Sequence, residues 1–280
     1  MTIESGKQTF LAQTASPHRR GTANALMQLL VLAICGLGSP GALPAEAQDA
    51  TPNALSEAEK SQGWTLLFDG KTLAGWRSYR QGSTNHWVIE DGCLKNPKGT
   101  GRPDTAGGQI VTADEFTDFD FRFEWKIAPR GNSGVIYFVK DRQHAPGQKM
   151  YREDDGTGPI GLVYQLLDDT RHPDAKQPSH RAGALYGLIA PNPSKRLKPV
   201  GEFNQSRIVV QGKHVEHWLN GARIVEYELD SPSLVKAIAG SKYRELSLSR
   251  ARSKAPIQLQ DHGDEIWFRN LKLRALAPAQ

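Results

Sequence analysis

A strictly alternating run of apolar and charged residues constrains the fold more than any other stretch of the chain. Over residues 119–127 (FDFRFEWKI) the odd positions are aromatic or aliphatic and the even positions are charged. A period of two is typical of a β-strand with one apolar and one polar face. A turn signal at 129–132 (PRGN) and a second apolar run at 133–139 follow, which predicts a hairpin. The apolar face needs a covering layer, so the sequence predicts two stacked sheets.

Short strands separated by turn signals recur along the rest of the chain. The dipeptides at 91–92 (DG) and 220–221 (NG) have the composition of two-residue hairpin turns, and 211–212 (QG) joins two further predicted strands. Ser56 and Glu59 form a capping box that predicts a short helix. The pattern as a whole predicts an all-β domain, a two-sheet antiparallel jelly-roll sandwich with a short N-terminal helix.

The beginning of the chain has the pattern of a secretory leader. Basic residues at 18–20 (HRR) precede an apolar run over 25–37, and small residues follow as far as Ala47. The apolar run is shorter than the ~20 residues that span a bilayer. We therefore predict a signal peptide over 1–47, a linker over 48–55 and one domain over 56–277. The protein is expected to be exported to the periplasm or the extracellular space, with no transmembrane span after cleavage.

Charge and cysteine content narrow the classes of function. The net charge is +5, and the basic residues are scattered rather than clustered, so the sequence indicates no nucleic-acid surface. Of the two cysteines, Cys35 lies in the predicted leader and Cys93 remains alone in the predicted domain. The domain is thus expected to depend on its apolar core rather than on disulfides. The sequence leaves the oligomeric state open.

Several short motifs along the chain carry a resemblance to a known family. They are residues 63–71 (GWTLLFDGK), 132–135 (NSGV), 164–169 (YQLLDD), 217–221 (HWLNG), 259–263 (LQDHG) and 268–270 (FRN). In this order they resemble the 3-keto-disaccharide hydrolase family. The resemblance implies a concanavalin A-like jelly roll and an exported enzyme that acts on 3-keto glycosides. Family members often carry an acidic residue where this chain has Val163, and a basic residue in the strand after the NSG motif.

Chemistry on a 3-keto sugar sets the groups that such a site needs. The hydrogen on C2 is acidic because the anion delocalises onto the ketone oxygen; the C1 oxygen then leaves, and water adds to the enone. The site needs a base, a positive group or metal near the ketone oxygen, and an acid for the leaving group. His262 is the first candidate for the base, because histidine titrates near neutral pH and shares its parity with Gln258 and Gln260. Gln260 is a predicted substrate ligand. Alternatively, His262 belongs to a structural turn and bonds to backbone.

The polar positions of the alternating strand supply the next candidates. Glu124 is the second candidate for a base or metal ligand, and Arg122 and Lys126 can polarise a substrate oxygen. The alternative is that these residues form a cross-strand ion-pair ladder. Trp218 offers a platform for a sugar ring, with Glu216 on the same face of its strand.

Acids and amides elsewhere give further ligand candidates. Gln165 and Asp168 can bind sugar hydroxyls, although Asp168 and Asp169 can equally cap a turn. These two acids, with residues 153–155 (EDD), offer oxygen ligands suited to a divalent cation such as Ca²⁺. No metal-ligating set is assigned. His217 lies on the face opposite Trp218 and is expected to be a core histidine.

Three classes of function with a carbohydrate partner remain open from the sequence, beside a structural envelope protein without a sugar ligand. The first is an exported enzyme that cleaves 3-keto glycosides by proton abstraction at C2, with elimination and hydration giving net hydrolysis. The second is a non-catalytic jelly-roll module that binds a glycan on Glu124, Trp218 and Gln260. The third is a glycosidase with two opposed carboxylates, Glu124 and Glu216.

Overall fold

The computed structural model describes residues 51–79, 86–98, 108–140, 160–244, 246 and 253–278. The predicted signal peptide and the acidic triplet at 153–155 lie outside these residues. In the part of the chain that is described, no helix is both long and apolar enough to cross a membrane.

Two antiparallel sheets form the domain, as predicted. Among the described residues, the first sheet has the order β11-β10-β9-β6-β13-β4-β3, with β1 paired to β13, and the second has the order β2-β5-β12-β7-β8. The strands of the first sheet are β1 (Trp64–Leu66), β3 (Val88–Glu90), β4 (Cys93–Asn96), β6 (Phe119–Ile127), β9 (Asn204–Gln211), β10 (His214–Leu219), β11 (Ala222–Glu228) and β13 (Ile266–Ala275). Those of the second sheet are β2 (Trp76–Ser78), β5 (Ile110–Thr112), β7 (Asn132–Lys140), β8 (Ile160–Leu167) and β12 (Gln258–Leu259).

Helices are few and short in the described residues. They are α1 (Glu57–Ser61), α2 (Pro232–Ala239) and two 3-10 turns, Pro173–Lys176 and Pro178–His180. The predicted N-terminal helix is confirmed with its capping box, because Ser56 accepts from the Glu59 N–H and Glu59 accepts from the Ser56 N–H.

The alternating run of β6 forms the centre of the core. Its odd-numbered side chains, from Phe119 to Ile127, are all 3% exposed or less. They pack against the second sheet, where the Tyr164 ring meets Phe123 edge-on with 5.6 Å between ring centroids. Full burial of each large apolar side chain contributes about 1.5–3 kcal/mol, so this one strand accounts for much of the attraction between the layers.

The predicted hairpin between β6 and β7 is wrong. β6 pairs with β9 and β13, whereas β7 pairs with β8 and β12. The turn after β6, with Arg130 at φ 64°, carries the chain from the first sheet across to the second. The physical reason is that β7 is apolar on both faces and is buried along nearly all of its length, which suits a central strand of the covering layer.

A second crossing lies beside the first. The chain returns from β12 in the second sheet to β13 in the first through residues 260–265. The Ala128 N–H donates to the Glu265 carbonyl at 3.1 Å, which joins the two crossings at one end of the sandwich.

His217 is a core histidine, as predicted. It is fully buried, and its Nδ1 donates to the Gly183 carbonyl at 3.0 Å. Its Nε2 therefore accepts from the Tyr137 hydroxyl at 2.8 Å. Burial lowers the pKa of His217 to about 4, so the ring is neutral at physiological pH.

Candidate functional site

The outer face of the first sheet carries the charged residues of β6. Register partners in a sheet share a face, so Arg122 lies beside Arg207 of β9 and Glu124 beside Arg269 of β13. We call this surface the charged face, and its members are Asp120, Arg122, Glu124, Lys126, Arg207, Glu216, Trp218 and Arg269.

Asp120 holds the charged face together. Its side chain is fully buried and accepts from Arg207 at 2.7 and 2.9 Å and from Arg274 at 3.4 Å. The guanidinium carbons of Arg122 and Arg274 lie 4.4 and 5.1 Å from the centre of the Trp64 ring. These are cation–π distances, and the arrangement is the cross-strand ladder that the sequence left open.

Glu124 and Lys126 are engaged by their own neighbours. Arg269 Nε donates to Glu124 Oε2 at 2.7 Å, and the Gln205 amide reaches Glu124 Oε1 at 3.4 Å. The Lys126 ammonium lies 4.4 Å from the centre of the Trp267 ring. Both oxygens of the Glu124 carboxylate therefore already have a partner within the sheet.

Glu216 and Trp218 also satisfy each other. Trp218 Nε1 donates to Glu216 Oε2 at 2.8 Å, and Arg223 donates to Glu216 Oε1 at 2.8 Å. Burial raises the pKa of Glu216, but the hydrogen bonds from Arg223 and Trp218 outweigh it and lower the pKa below the usual value. The general acid of a two-carboxylate glycosidase needs a raised pKa, so the charged face does not suit that mechanism.

One group of described residues has metal-ligand spacing. Atoms of His214, Glu216 and Glu226 lie within 4.8 Å of one another. Arg223 Nη1 donates to both carboxylates at 2.8 Å. The guanidinium therefore already neutralises the two acids that a cation would need.

The outer face of the second sheet carries a group of amides, with Arg77 of the edge strand β2 on the same face. Gln258 lies opposite Ile136, and Gly134 lies opposite Gln165, so these positions share the face that points away from the core. We call the polar side chains along it the amide row, and its members are Gln109, Gln258, Gln260 and Gln165. They come from the regions of three strands, β5, β8 and β12, and their closeness depends on sheet register.

Gly134 makes room for one member of the amide row. A Cβ atom at this position would lie 2.9 Å from Gln260 Oε1 and 2.8 Å from Val163 Cγ1. The Gln260 N–H also donates to the Gly134 carbonyl at 2.9 Å. The absence of a side chain at 134 therefore allows Gln260 to lie across β7 towards β8.

Hydrogen bonds fix most of the amide row but leave one acceptor open. Gln258 Nε2 donates to Gln109 Oε1, and Gln165 Nε2 donates to Asn132 Oδ1, each at 2.9 Å. Gln258 is 1% exposed, and its Oε1 accepts no hydrogen bond from the protein. An unsatisfied buried acceptor costs about 1–3 kcal/mol, and this oxygen is enclosed by the surrounding protein.

Val163 occupies the same outer face. Its cross-strand partner is Ile136, and both side chains are less than 10% exposed, at 6% and 7%. The family resemblance places a basic residue in β7, the strand after the NSG motif. An acidic residue at 163 would directly face this strand. This chain has an apolar pair here, which packs without needing a charge partner.

The amide row opens to solvent at the end where the chain crosses between sheets. Along this segment Gln258 is buried, Gln260 is half-buried and His262 is exposed. At this end lies a cleft of about 570 Å³, which we call the end cleft. It is lined by Lys98, Ala128, Pro129, Arg130, Gly131, His172, Pro173, Asp264 and Glu265.

Asp168 joins two walls of the end cleft. Its Oδ2 accepts from the Arg130 N–H at 2.8 Å, and its Oδ1 accepts from the Thr170 hydroxyl at 2.6 Å and the Arg171 N–H at 3.2 Å. Burial raises the pKa of Asp168, but the hydrogen bonds from Thr170, Arg130 and Arg171 outweigh it and lower the pKa. Asp168 therefore caps the turn, the alternative stated above, with both oxygens engaged.

His172 lines the end cleft and was missed by the sequence analysis. Its Nδ1 accepts from the Asp174 N–H at 3.2 Å. Burial and the nearby His262 lower the pKa of His172, whereas Asp174 and Asp264 raise it. The net pKa lies below the usual value of a histidine. Its position depends on the Asp168 turn, and the one signal in the sequence was its closeness to the YQLLDD motif.

The predicted site residues thus fall on two opposite surfaces. The charged face holds Arg122, Glu124, Lys126, Glu216 and Trp218. The second sheet brings together Gln165 and Gln260, with His262 and Asp168 at the end cleft. The functional role of each residue stays a prediction.

Solved structures of related proteins share this two-sheet architecture. Two proteins of Parabacteroides distasonis, each provisionally described as a glycosyl hydrolase, share the fold. One is 29% identical with a TM-score of 0.68, covering 81% of this chain and 100% of its own. The other is 27% identical with a TM-score of 0.55, covering 76% and 99%.

The particular family follows from sequence comparison. Residues 63–274 match the family model of the 3-keto-alpha-glucoside-1,2-lyase-like domain. A 3-keto-disaccharide hydrolase of Bacteroides thetaiotaomicron is 32% identical over 249 residues, covering 81% of this chain and 83% of the relative. The chain belongs to the 3-keto-alpha-glucoside-1,2-lyase-like family, which confirms the predicted family and its class of glycoside-cleaving enzyme.

Proposed function

We propose that the protein is an exported enzyme that cleaves 3-keto glycosides by elimination followed by hydration. Family membership supports a glycoside-cleaving enzyme. The observation that carries the mechanism is the end cleft, which His172, Arg130 and Asp264 line, with the exposed His262 two residues before Asp264 in the crossing segment. A base, hydrogen-bond donors and a positive charge are the groups that C2 deprotonation requires.

The proposed reaction starts at C2 of the keto sugar. His262 takes the C2 proton, the C–H electron pair becomes the C2=C3 bond, and the ketone oxygen becomes an enolate. The ketone re-forms as the C1–O bond breaks, which leaves a C1=C2 enone and an alkoxide that takes the proton from His262. Water then adds its oxygen to C1 and a proton to C2. The products are the free 3-keto sugar and the alcohol, as in net hydrolysis.

The amide row supports recognition of a neutral sugar. An amide offers both donors and an acceptor, which matches the hydroxyl groups of a sugar ring. Gln165 and Gln260 flank Gly134, and the open acceptor of Gln258 lies on the same face. We assign the predicted substrate contacts of this surface to Gln165 and Gln260.

A divalent cation remains a proposal with a limited fit. Asp168 is engaged in its turn, and Asp169 is paired with Lys195 and accepts from the Ala182 N–H at 2.8 Å. These two acids therefore do not suit Ca²⁺, and no reaction step is assigned to a metal. Activity in the presence of a chelator tests the need for one.

The second candidate is a carbohydrate-binding module without chemistry. It is favoured by Val163, which stands where family members often carry an acidic residue and which packs against the apolar Ile136. The same amide row would then hold a glycan at the end cleft without reaction. The two candidates differ in turnover, not in binding.

A turnover assay separates them. Purified protein is offered a 3-keto disaccharide beside its unoxidised parent, with and without chelator. We expect cleavage of the keto sugar alone, and loss of cleavage in His262→Ala but not in His214→Ala, a matched histidine on the charged face. Binding of both sugars without cleavage of either would establish the binding module. Cleavage of the parent would indicate an ordinary glycosidase.

Export is tested in cells. We expect the full chain to be recovered outside the cytoplasm in a shortened form, and a chain lacking residues 1–47 to stay in the cytoplasm. Recovery of both forms in the cytoplasm would overturn this part of the proposal.

A further inference from the structure

His172 has a ring orientation that its surroundings determine. Its backbone N–H donates to the Asp168 carbonyl at 3.0 Å, and its Nδ1 accepts from the Asp174 N–H at 3.2 Å. Asp174 is itself held, because its carboxylate is bonded to His180 at 3.1 Å and to the Tyr186 hydroxyl at 3.0 Å. The imidazole is therefore fixed along the wall of the end cleft that it lines.

The hydrogen bond to Nδ1 also determines where the proton lies. A nitrogen that accepts a hydrogen bond carries no proton, so the neutral ring of His172 carries its proton on Nε2. Protonation of Nδ1 would place two donors against each other. Burial lowers the pKa of His172 further, and His262 and Arg130 add to this while Asp174 and Asp264 oppose it. His172 is thus a neutral N–H donor at neutral pH.

A neutral imidazole donor has a specific use in carbonyl chemistry. It can hold a ketone oxygen by a hydrogen bond and stabilise the enolate without giving up its proton. Arg130 and Lys98 line the same cleft and bring positive charge to the developing oxyanion. The Arg130 N–H donates to the Asp168 carboxylate, and the His172 N–H donates to the Asp168 carbonyl. Asp168 therefore positions both Arg130 and His172 at the cleft.

We propose that His172 Nε2–H binds the ketone oxygen of the 3-keto ring and stabilises the enolate that forms when His262 removes the C2 proton. This inference rests on the proposed function. The Nε2 proton stays on His172 throughout, and the electron pair from the C2–H bond reaches the ketone oxygen through C2 and C3. His172 is then a catalytic residue that acts by hydrogen bonding, and His262 carries all of the proton transfer.

A substrate analogue without a leaving group isolates this step. A 1,5-anhydro-3-keto sugar enolises but cannot eliminate at C1, so exchange of its C2 hydrogen with D₂O reports enolate formation alone. His172→Gln keeps an N–H donor, whereas His172→Phe and His172→Ala have none. We expect exchange and disaccharide cleavage to fall together, by about 10²–10³-fold in Phe and Ala, with Gln at least about tenfold more active.

Each outcome decides the proposal. If the donor-free variants keep normal exchange but lose cleavage, His172 is the acid for the leaving group and the inference is overturned. A loss of exchange and cleavage in His172→Gln equal to that in His172→Phe and His172→Ala would also overturn it. Wild-type activity in all three would also overturn it, while leaving the proposed function intact. Absence of exchange and cleavage in the wild type would instead refute the proposed function. Melting curves identify any variant that fails to fold.

A wild-type measurement supports the inference without any variant. The titratable and charged groups that face His172 are Asp174, Asp264, His262, Arg130 and, across the cleft, Lys98 and Glu265. A neutral donor keeps working as pH rises, so exchange should not fall between about pH 7 and 9. A fall in that range would show that a cationic imidazole is required and would overturn the proposal.

Discussion

The outer faces of the two sheets differ in the kind of polar side chain that they carry and in how those side chains are paired. On the charged face, Asp120, Glu124 and Glu216 each hold an arginine, and aromatic rings cover the guanidinium groups. On the second sheet the central polar side chains are neutral amides, and Gln258 Oε1 is left without a protein donor. Ion pairs and cation–π contacts hold the first surface, whereas hydrogen bonds between neutral groups hold the second. Dense charge in a strand therefore indicates a stabilised surface here, and the amide row is the surface that we propose for the substrate.

The largest expected effect is on catalysis, and it tests whether His262 is the general base. His262→Ala should lower kcat on a 3-keto disaccharide by about 10²–10⁴-fold, the usual contribution of a positioned general base. Its melting temperature should stay near that of the wild type, because His262 is exposed. Steady-state kinetics beside His214→Ala measure the effect. Equal kcat values in the two variants would contradict the assignment.

The next largest effect is on stability, and it tests whether the charged face is a stabilising network. Asp120→Ala leaves the arginines of the charged face without their buried partner, and breaking a buried ion pair costs about 3–5 kcal/mol of unfolding free energy. Urea unfolding measures the loss. The control is Asp230→Ala, which breaks the exposed pair with Lys213 and should cost no more than about 1 kcal/mol. Similar losses in the two variants would show that the charged face is not a stabilising network.

The pH dependence of the cleft walls follows from Asp168. Its pKa is lowered in the folded state, so the unfolded chain binds more protons, and stability rises with pH in the acid range. The contribution is present above the usual value of 3.8 and is lost as pH falls through the lowered pKa. Asp168→Asn should cost about 1.5–3 kcal/mol at neutral pH and flatten the acid limb. Melting temperatures between about pH 3 and 7 measure this, and an unchanged acid limb would refute it.

A smaller effect tests the amide row. Gly134→Ala places a methyl group against Gln260 Oε1 and should displace that side chain. Loss of one substrate hydrogen bond, about 0.5–1.5 kcal/mol, raises KM by about 3–10-fold. In a Gln260→Ala background the same substitution should lose the part of its effect that acts through Gln260 and keep the part from the 2.8 Å contact with Val163 Cγ1, which a double-mutant cycle separates. Independent effects would mean that Gln260 does not act through this contact.

The smallest expected effect concerns the predicted base on the charged face. Glu124→Gln should change kcat/KM by no more than about twofold, the range of an ordinary surface substitution, because its carboxylate is already paired with Arg269. A loss comparable to that of His262→Ala would move the active site to the first sheet and reverse the comparison.

These faces also show what a sequence can reveal about this fold. The alternation of residues 119–127 depends on local geometry, so the strand and its buried face were predictable. Whether the next strand joins the same sheet or the opposite one depends on which apolar face needs covering. The turn sequence after Ile127 does not indicate this choice. The amide row depends on register between Gln109, Gly134, Gln165 and Gln258, which lie far apart in the chain. Its existence, like the position of His172, follows only from the folded structure.

The most direct test of the account is the hydrogen at C2 of the product. A 3-keto disaccharide is cleaved in D₂O, and the released 3-keto sugar is examined at once by mass spectrometry and NMR, beside a control without enzyme. Elimination and hydration predict one deuterium at C2 for every bond cleaved, with both cleavage and labelling lost in His262→Ala. Cleavage that leaves the original hydrogen on C2 would contradict proton abstraction at the end cleft.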